Sequence, residues 1–222
     1  MKFKNKILSH RIMLKKSQDN ILPKNISYYT HDDSSYSHIK EGHAFLIKVI
    51  NTLKSLNQEK MDYHICESLY IHRIKLILEK NQKKNNERKS TIFDSYYFCE
   101  RNIEEVISKI FQLFEVDGQI IVMSLYLLES FTYKSKTLLD ENNYVKLIVI
   151  SLMETIKFFI DDSHINVKLI CAILKIDKDM LINLECYFLN SINYKLKIDE
   201  EKFYIYKKKI IISWIDYLKN NL

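Results

Sequence analysis

The residues with chemistry to offer are charges placed where an oily helix has little room for them. In "INLECYFLNSINYKL", residues 182–196, a step of about 100° per residue sets Leu181, Leu184, Phe188, Leu189 and Ile192 on one face. Glu185 falls inside that face, between Ile192 and Leu189. A carboxylate there is costly unless it is paired or hydrogen-bonded, so Glu185 needs a partner inside the chain or outside it. Lys157 lies near Lys146 and Glu154 on the one polar strip of "YVKLIVISLMETIKFFI", a segment otherwise apolar all round. Glu129 shares a face with Val122, Leu125 and Tyr126 and is also expected to pair. Such charges supply ion pairing, either as internal bridges or as a charged pair presented to another protein. Glu154 with Lys157, three residues apart, is one candidate for an internal bridge.

Groups that would catalyse are not at catalytic spacing. The sequence holds no GxSxG, HExxH, Walker loop or protein-kinase signature. Asp161 and Asp162 are adjacent rather than spread across helices, which does not build a di-iron site. Asp162 and His164 in "DDSH" read as a helix terminus rather than an acid/base pair. His64, Cys66 and His72 are the only local metal candidates. Residues two apart on a helix diverge and eight residues rise about 12 Å, so they read as ordinary helix residues. Neither metal nor cofactor is expected, and the chain reads as a non-enzyme. Cys66, Cys99, Cys171 and Cys186 show no CxxC spacing, which points to a reducing compartment, nucleus or cytoplasm.

The elements that must position these charges are helices. Two glycines and one proline in 222 residues leave little for turns or phosphate-binding loops, so an all-α fold is predicted. Residues 1–40 carry Pro23 and the polar patch "THDDSSYSH" and read as a loosely ordered arm. Residues 41–90 hold helices near 41–57 and 62–80, then the polar linker "NQKKNNERKS". In the second of these helices His72 reads as a core-edge histidine. Beyond the linker, "RNIEEVISKIFQLFE" is amphipathic with Asn102 as its N-cap. "DGQIIVMSLYLLESFTY" and "ENNYVKLIVISLMETIKFFI" are oily nearly all round and must be wrapped by other helices. Helices near 166–175 and 177–193 follow, the latter capped by Asp177, and a last one starts at the "DEE" of 199–201 and runs towards Leu218. The N-terminus is basic but lacks a long apolar core and a cleavage site, so no signal peptide is expected. The oily runs are too interrupted to span a bilayer. The net charge of +6 is spread along the chain and reads mainly as solvated surface.

This helical series resembles a cyclin box, most of all that of P-type, phosphate-response-like cyclins, over residues 91–206. The resemblance rests on Asn143, Lys146, Ser151, Lys157, Asp161 and Asp162 in one segment. In the next it rests on Leu184, Glu185, Phe188, Leu189, Ile192, Tyr194, Leu196, Ile198, Phe203 and Tyr206. It implies a single box of five helices around a buried central one, with extra N- and C-terminal helices and residues 207–222 as the C-terminal helix end. It also implies that Lys157 and Glu185 bind a cyclin-dependent protein kinase, with Asp161 and Asp162 in support. A bracing ion pair is implied between Lys109 and Glu129, because "VISKI" stands where the family has YLxRI and "LLESF" where it has YLDRF. The interval from Lys157 to the acidic pair is one residue longer than in the family, so a register taken from downstream puts Phe158 at the lysine position. The alternative is a cyclin-fold adaptor or a nucleic-acid-binding module of the TFIIB kind, although residues 1–90 give no second box. No membrane or small-molecule partner is expected.

Overall fold

The computed structural model describes residues 47, 62–82, 89–95, 102–160 and 165–220, all within the unit Phe45–Leu222. Seven helices occur among them: α1 (Tyr63–Gln82), α2 (Ile103–Phe114), α3 (Gly118–Ser135), α4 (Tyr144–Phe159), α5 (Val167–Leu174), α6 (Lys178–Ser191) and α7 (Glu200–Asn220). No strand occurs among the described residues, so the predicted all-α class is observed.

The starts of these helices follow from local side-chain chemistry. Asn102, Asp117, Asn166, Asp177 and Asp199 each accept a hydrogen bond from a first-turn backbone N–H, at 2.7–3.0 Å. Each satisfies a donor that the helix itself leaves unpaired. The ends are unusual. Glu115, Lys136 and Lys175 close α2, α3 and α5 in the left-handed region, with φ of 49°, 56° and 53°. Glycine normally takes such positions, since a Cβ there costs roughly 1 kcal/mol.

The centre is α4, whose residues from Tyr144 to Ile156 are all buried. α3 packs along it, and α2, α5 and α6 close the remaining sides. α1, which the sequence reading sets apart from the box, packs on α3 and sends Cys66, Leu69, Tyr70, Ile74 and Leu78 into the same core. α7 lies against α1 and α3 and adds Phe203, Ile210, Ile211 and Trp214. Phe131 on α3 and Phe188 on α6 stack at 4.8 Å, joining the two across the core. No single helix among the described residues is long and apolar enough to cross a membrane.

Candidate functional site

Lys157 sits in the last turn of α4, where that helix emerges from the core, and Glu185 sits midway along α6. The Lys157 ammonium donates to Glu185 Oε1 at 2.5 Å and to Glu154 Oε1, one turn earlier, at 3.1 Å. The three side chains form a ladder from interior to solvent: Glu154 is 3% exposed, Glu185 27% and Lys157 36%. Two carboxylates therefore share one cation. Burial pushes the Glu154 carboxyl up to about 7, against the pull of Lys157 and reinforced by the negative charge of Glu185.

The depth order reverses the sequence expectation. Helical periodicity puts Glu185 within an apolar face and Glu154 on a polar strip. In the fold Glu185 lies at the rim and Glu154 in the core. The reason is that α4 is enclosed on every side up to Ile156, so its polar strip has no solvent to face. Lys146, on the same strip, is also buried. It donates to the backbone carbonyl of Asp94 at 2.8 Å and ties residues 92–94 to the central helix. Lys157 makes the contact to Glu185, and its neighbour Phe158 is 49% exposed.

The expected Lys109–Glu129 brace does not form. Lys109 turns to Glu105 on its own helix in an exposed i, i+4 pair. Glu129 is gripped instead by Arg73 of α1, whose Nε and Nη2 each donate to one carboxylate oxygen at 2.8 Å. The Tyr206 hydroxyl of α7 donates to the same carboxylate at 2.8 Å. A bidentate guanidinium fork is the geometry that a lysine cannot supply, and α1 rather than α2 brings it. Glu129 thus fastens three helices together. The signal for Arg73 lies in "YIHRI", residues 70–74, which has the same spacing as "VISKI" and carries the aromatic and the arginine that "VISKI" lacks. Glu129 further raises the already high proton affinity of Arg73, and burial, then Glu129, raises that of the Tyr206 phenol.

Asp161 and Asp162 lie outside the described residues. Of the metal candidates, His64 is exposed while Cys66 is in the core with its thiol pushed up to about 12 by burial. His72 packs on Tyr217 with ring centroids 4.5 Å apart, and burial lowers its proton affinity. No His, Cys, Asp and Glu grouping among the described residues has the arrangement of a metal site.

No protein-family model matches the chain, and no curated protein matches it either.

Proposed function

We propose that the chain is a cyclin-type regulatory subunit, with α2 to α6 as its box, that binds and activates a cyclin-dependent protein kinase. The observation that carries this reading is the Lys157–Glu185 pair. Residues 28 apart in sequence meet where the central helix leaves the core, in the positions that the family resemblance assigns to partner binding. An ion pair at this depth keeps unused donor and acceptor capacity. Lys157 has three N–H donors and uses two, which leaves one for a partner's carbonyl or carboxylate. Phe158 and Ile160 follow Lys157 in the chain and Ile182 precedes Glu185 by one turn. All three are between 38% and 49% exposed, supplying apolar area around the charges. Binding energy at such a surface activates a kinase when the surface fits only one position of the kinase's mobile helix, because a ligand shifts an equilibrium by its differential affinity for the two states. The positive net charge and the helical fold also suit a nucleic-acid-binding module.

The test is capture of the tagged chain from its own cells, with the retained proteins identified by mass spectrometry and assayed for kinase activity. The wild type is expected to retain a kinase, and Lys157→Ala combined with Glu185→Ala to lose it while keeping a cooperative melt. No kinase, or undiminished capture by the double variant, overturns the reading. DNA binding that weakens steeply with salt would move it to the nucleic-acid class.

A further inference from the structure

The Lys157–Glu185 pair has a third member that the proposed function does not require, the buried carboxyl of Glu154. We propose that Glu154 is a positioning residue whose proton decides whether the Lys157 ammonium is held inward or released to the surface, so that partner binding at this pair depends on pH. The inference rests on the cyclin-type reading for the identity of the partner, but not for the behaviour of the cluster.

The argument starts from charge. With Glu154 ionised the cluster holds two carboxylates and one ammonium, a net charge of −1, with one of the carboxylates almost entirely out of water. A buried carboxylate needs a cation, and Lys157 at 3.1 Å is the cation that acts on it. The ammonium is then divided between an inner and an outer partner. With Glu154 protonated the cluster is neutral. The acid proton is attracted to the Glu185 carboxylate, which already interacts with Glu154, and the lysine donor that served Glu154 is freed. The two protonation states thus present different surfaces from the same backbone.

The charged groups that act on Glu154 are few. Lys157 lies on its own helix and Glu185 on α6; burial and then the Glu185 charge raise the proton affinity of Glu154, and Lys157 opposes them. Lys146 is eight residues back on α4, about 12 Å along the axis, and is bonded to backbone carbonyls. On the other helices packed against α4, Glu104 of α2 pairs with Lys75 and Lys109 with Glu105, Glu129 of α3 is held by Arg73 and Lys134 donates to the Ile192 carbonyl, while Lys168 of α5 and Lys178 and Asp179 of α6 are exposed to solvent. The midpoint near neutrality follows from burial opposed by one cation and assisted by one anion.

Carboxyl-carbon NMR of the full chain, with glutamate labelled, tests the cluster without any partner. The Glu154 resonance is expected to titrate near neutral pH, with the Lys157 ε-carbon shift reporting the change at Glu154. Lys157→Met should raise the Glu154 midpoint by removing the cation, and Glu185→Gln should lower it by removing the anion. A Glu154 midpoint in the ordinary glutamate range, or one that neither substitution moves, overturns the proposal. A second measurement links the cluster to its partner, using the kinase retained in the capture experiment. If only the protonated form presents Lys157 fully, wild-type affinity should be roughly threefold higher at about pH 6.5 than at about pH 7.5, following the protonated fraction. E154Q should lose that dependence while still binding. Equal pH dependence in wild type and E154Q overturns the proposal. Absence of any retained kinase strikes the cyclin-type reading alone, and the NMR titration then decides the role of Glu154 by itself.

Discussion

Ionising Glu154 inside the core destabilises the fold, and the sign of the resulting pH dependence is fixed by the direction of its shift. Its carboxyl is raised from an ordinary 4.5 to about 7. As pH climbs the unfolded chain therefore gives up this proton first. The contribution is fully favourable below about 4.5, declines as pH rises through about 7, and stays lost above it. A tenfold change in proton affinity is worth about 1.4 kcal/mol, so the loss amounts to on the order of 3 kcal/mol. Glu154→Gln removes the ionisation and should flatten this decline, leaving the variant more stable than wild type at about pH 8 in urea titrations. The opposite case is Arg73. Its two bonds to Glu129 are two-thirds or more shielded, and Arg73→Ala leaves that carboxylate with only Tyr206, so a loss of about 1–3 kcal/mol is expected. Lys109→Ala removes an exposed pair and should change stability by less than about 0.5 kcal/mol. A larger effect of Lys109→Ala than of Arg73→Ala in the same denaturant series would reject this assignment of the brace.

At the scale of the helix, the termini hold the adjustable energy. Glu115 closes α2 at a φ of 49°, exposed to solvent, with its backbone N–H bonded to the Gln112 carbonyl. Glu115→Gly keeps that bond and relieves the Cβ clash, and should stabilise the chain by about 0.5–1 kcal/mol, readable as a higher urea midpoint. Asp177 works in the other direction. Its side chain caps α6 at 2.7 Å from the Met180 N–H, and Asp177→Ala should cost about 1 kcal/mol. Because α6 carries Glu185, that variant should also speed hydrogen exchange in the first turns of α6 while leaving the middle of α4 unchanged. The helix starts at Asn102, Asp177 and Asp199 are legible in the sequence because capping is a contact across two or three residues. The left-handed closures at Glu115 and Lys175 are not, because no glycine marks them.

For the whole molecule, the decisive fact is that α1 belongs to the same core as α3 and α4. Sequence reading begins the box at residue 91 because a polar run follows α1, and polarity near a helix end looks like a border. The buried face of α1 and the Arg73 fork make it a structural part of the bundle instead. Native-state hydrogen exchange should therefore place the α1 amides around Leu69 to Ile74 in the same unfolding unit as those of α4, within about 1 kcal/mol. Separate, weaker protection of α1 would restore the border. Phe188→Ala, which empties half of the α3–α6 aromatic stack, should cost about 3–5 kcal/mol and destabilise α1 along with the rest.

The sequence by itself determined the all-α class, the limits of most helices to within a few residues, and the fact that α4 had to be enclosed. These depend on periodicity, caps and the scarcity of glycine and proline, all of which act over a few neighbouring residues. It also marked Glu185, Lys157 and Glu129 as charges needing partners. Only the tertiary structure decided which partners they found. Arg73 and Glu129 lie 56 residues apart and Tyr206 a further 77 beyond Glu129, so their meeting depends on how α1, α3 and α7 pack together. The fold likewise chose Glu154 over Glu185 as the buried carboxylate, because burial is set by what packs against a face and not by the pattern of the face alone.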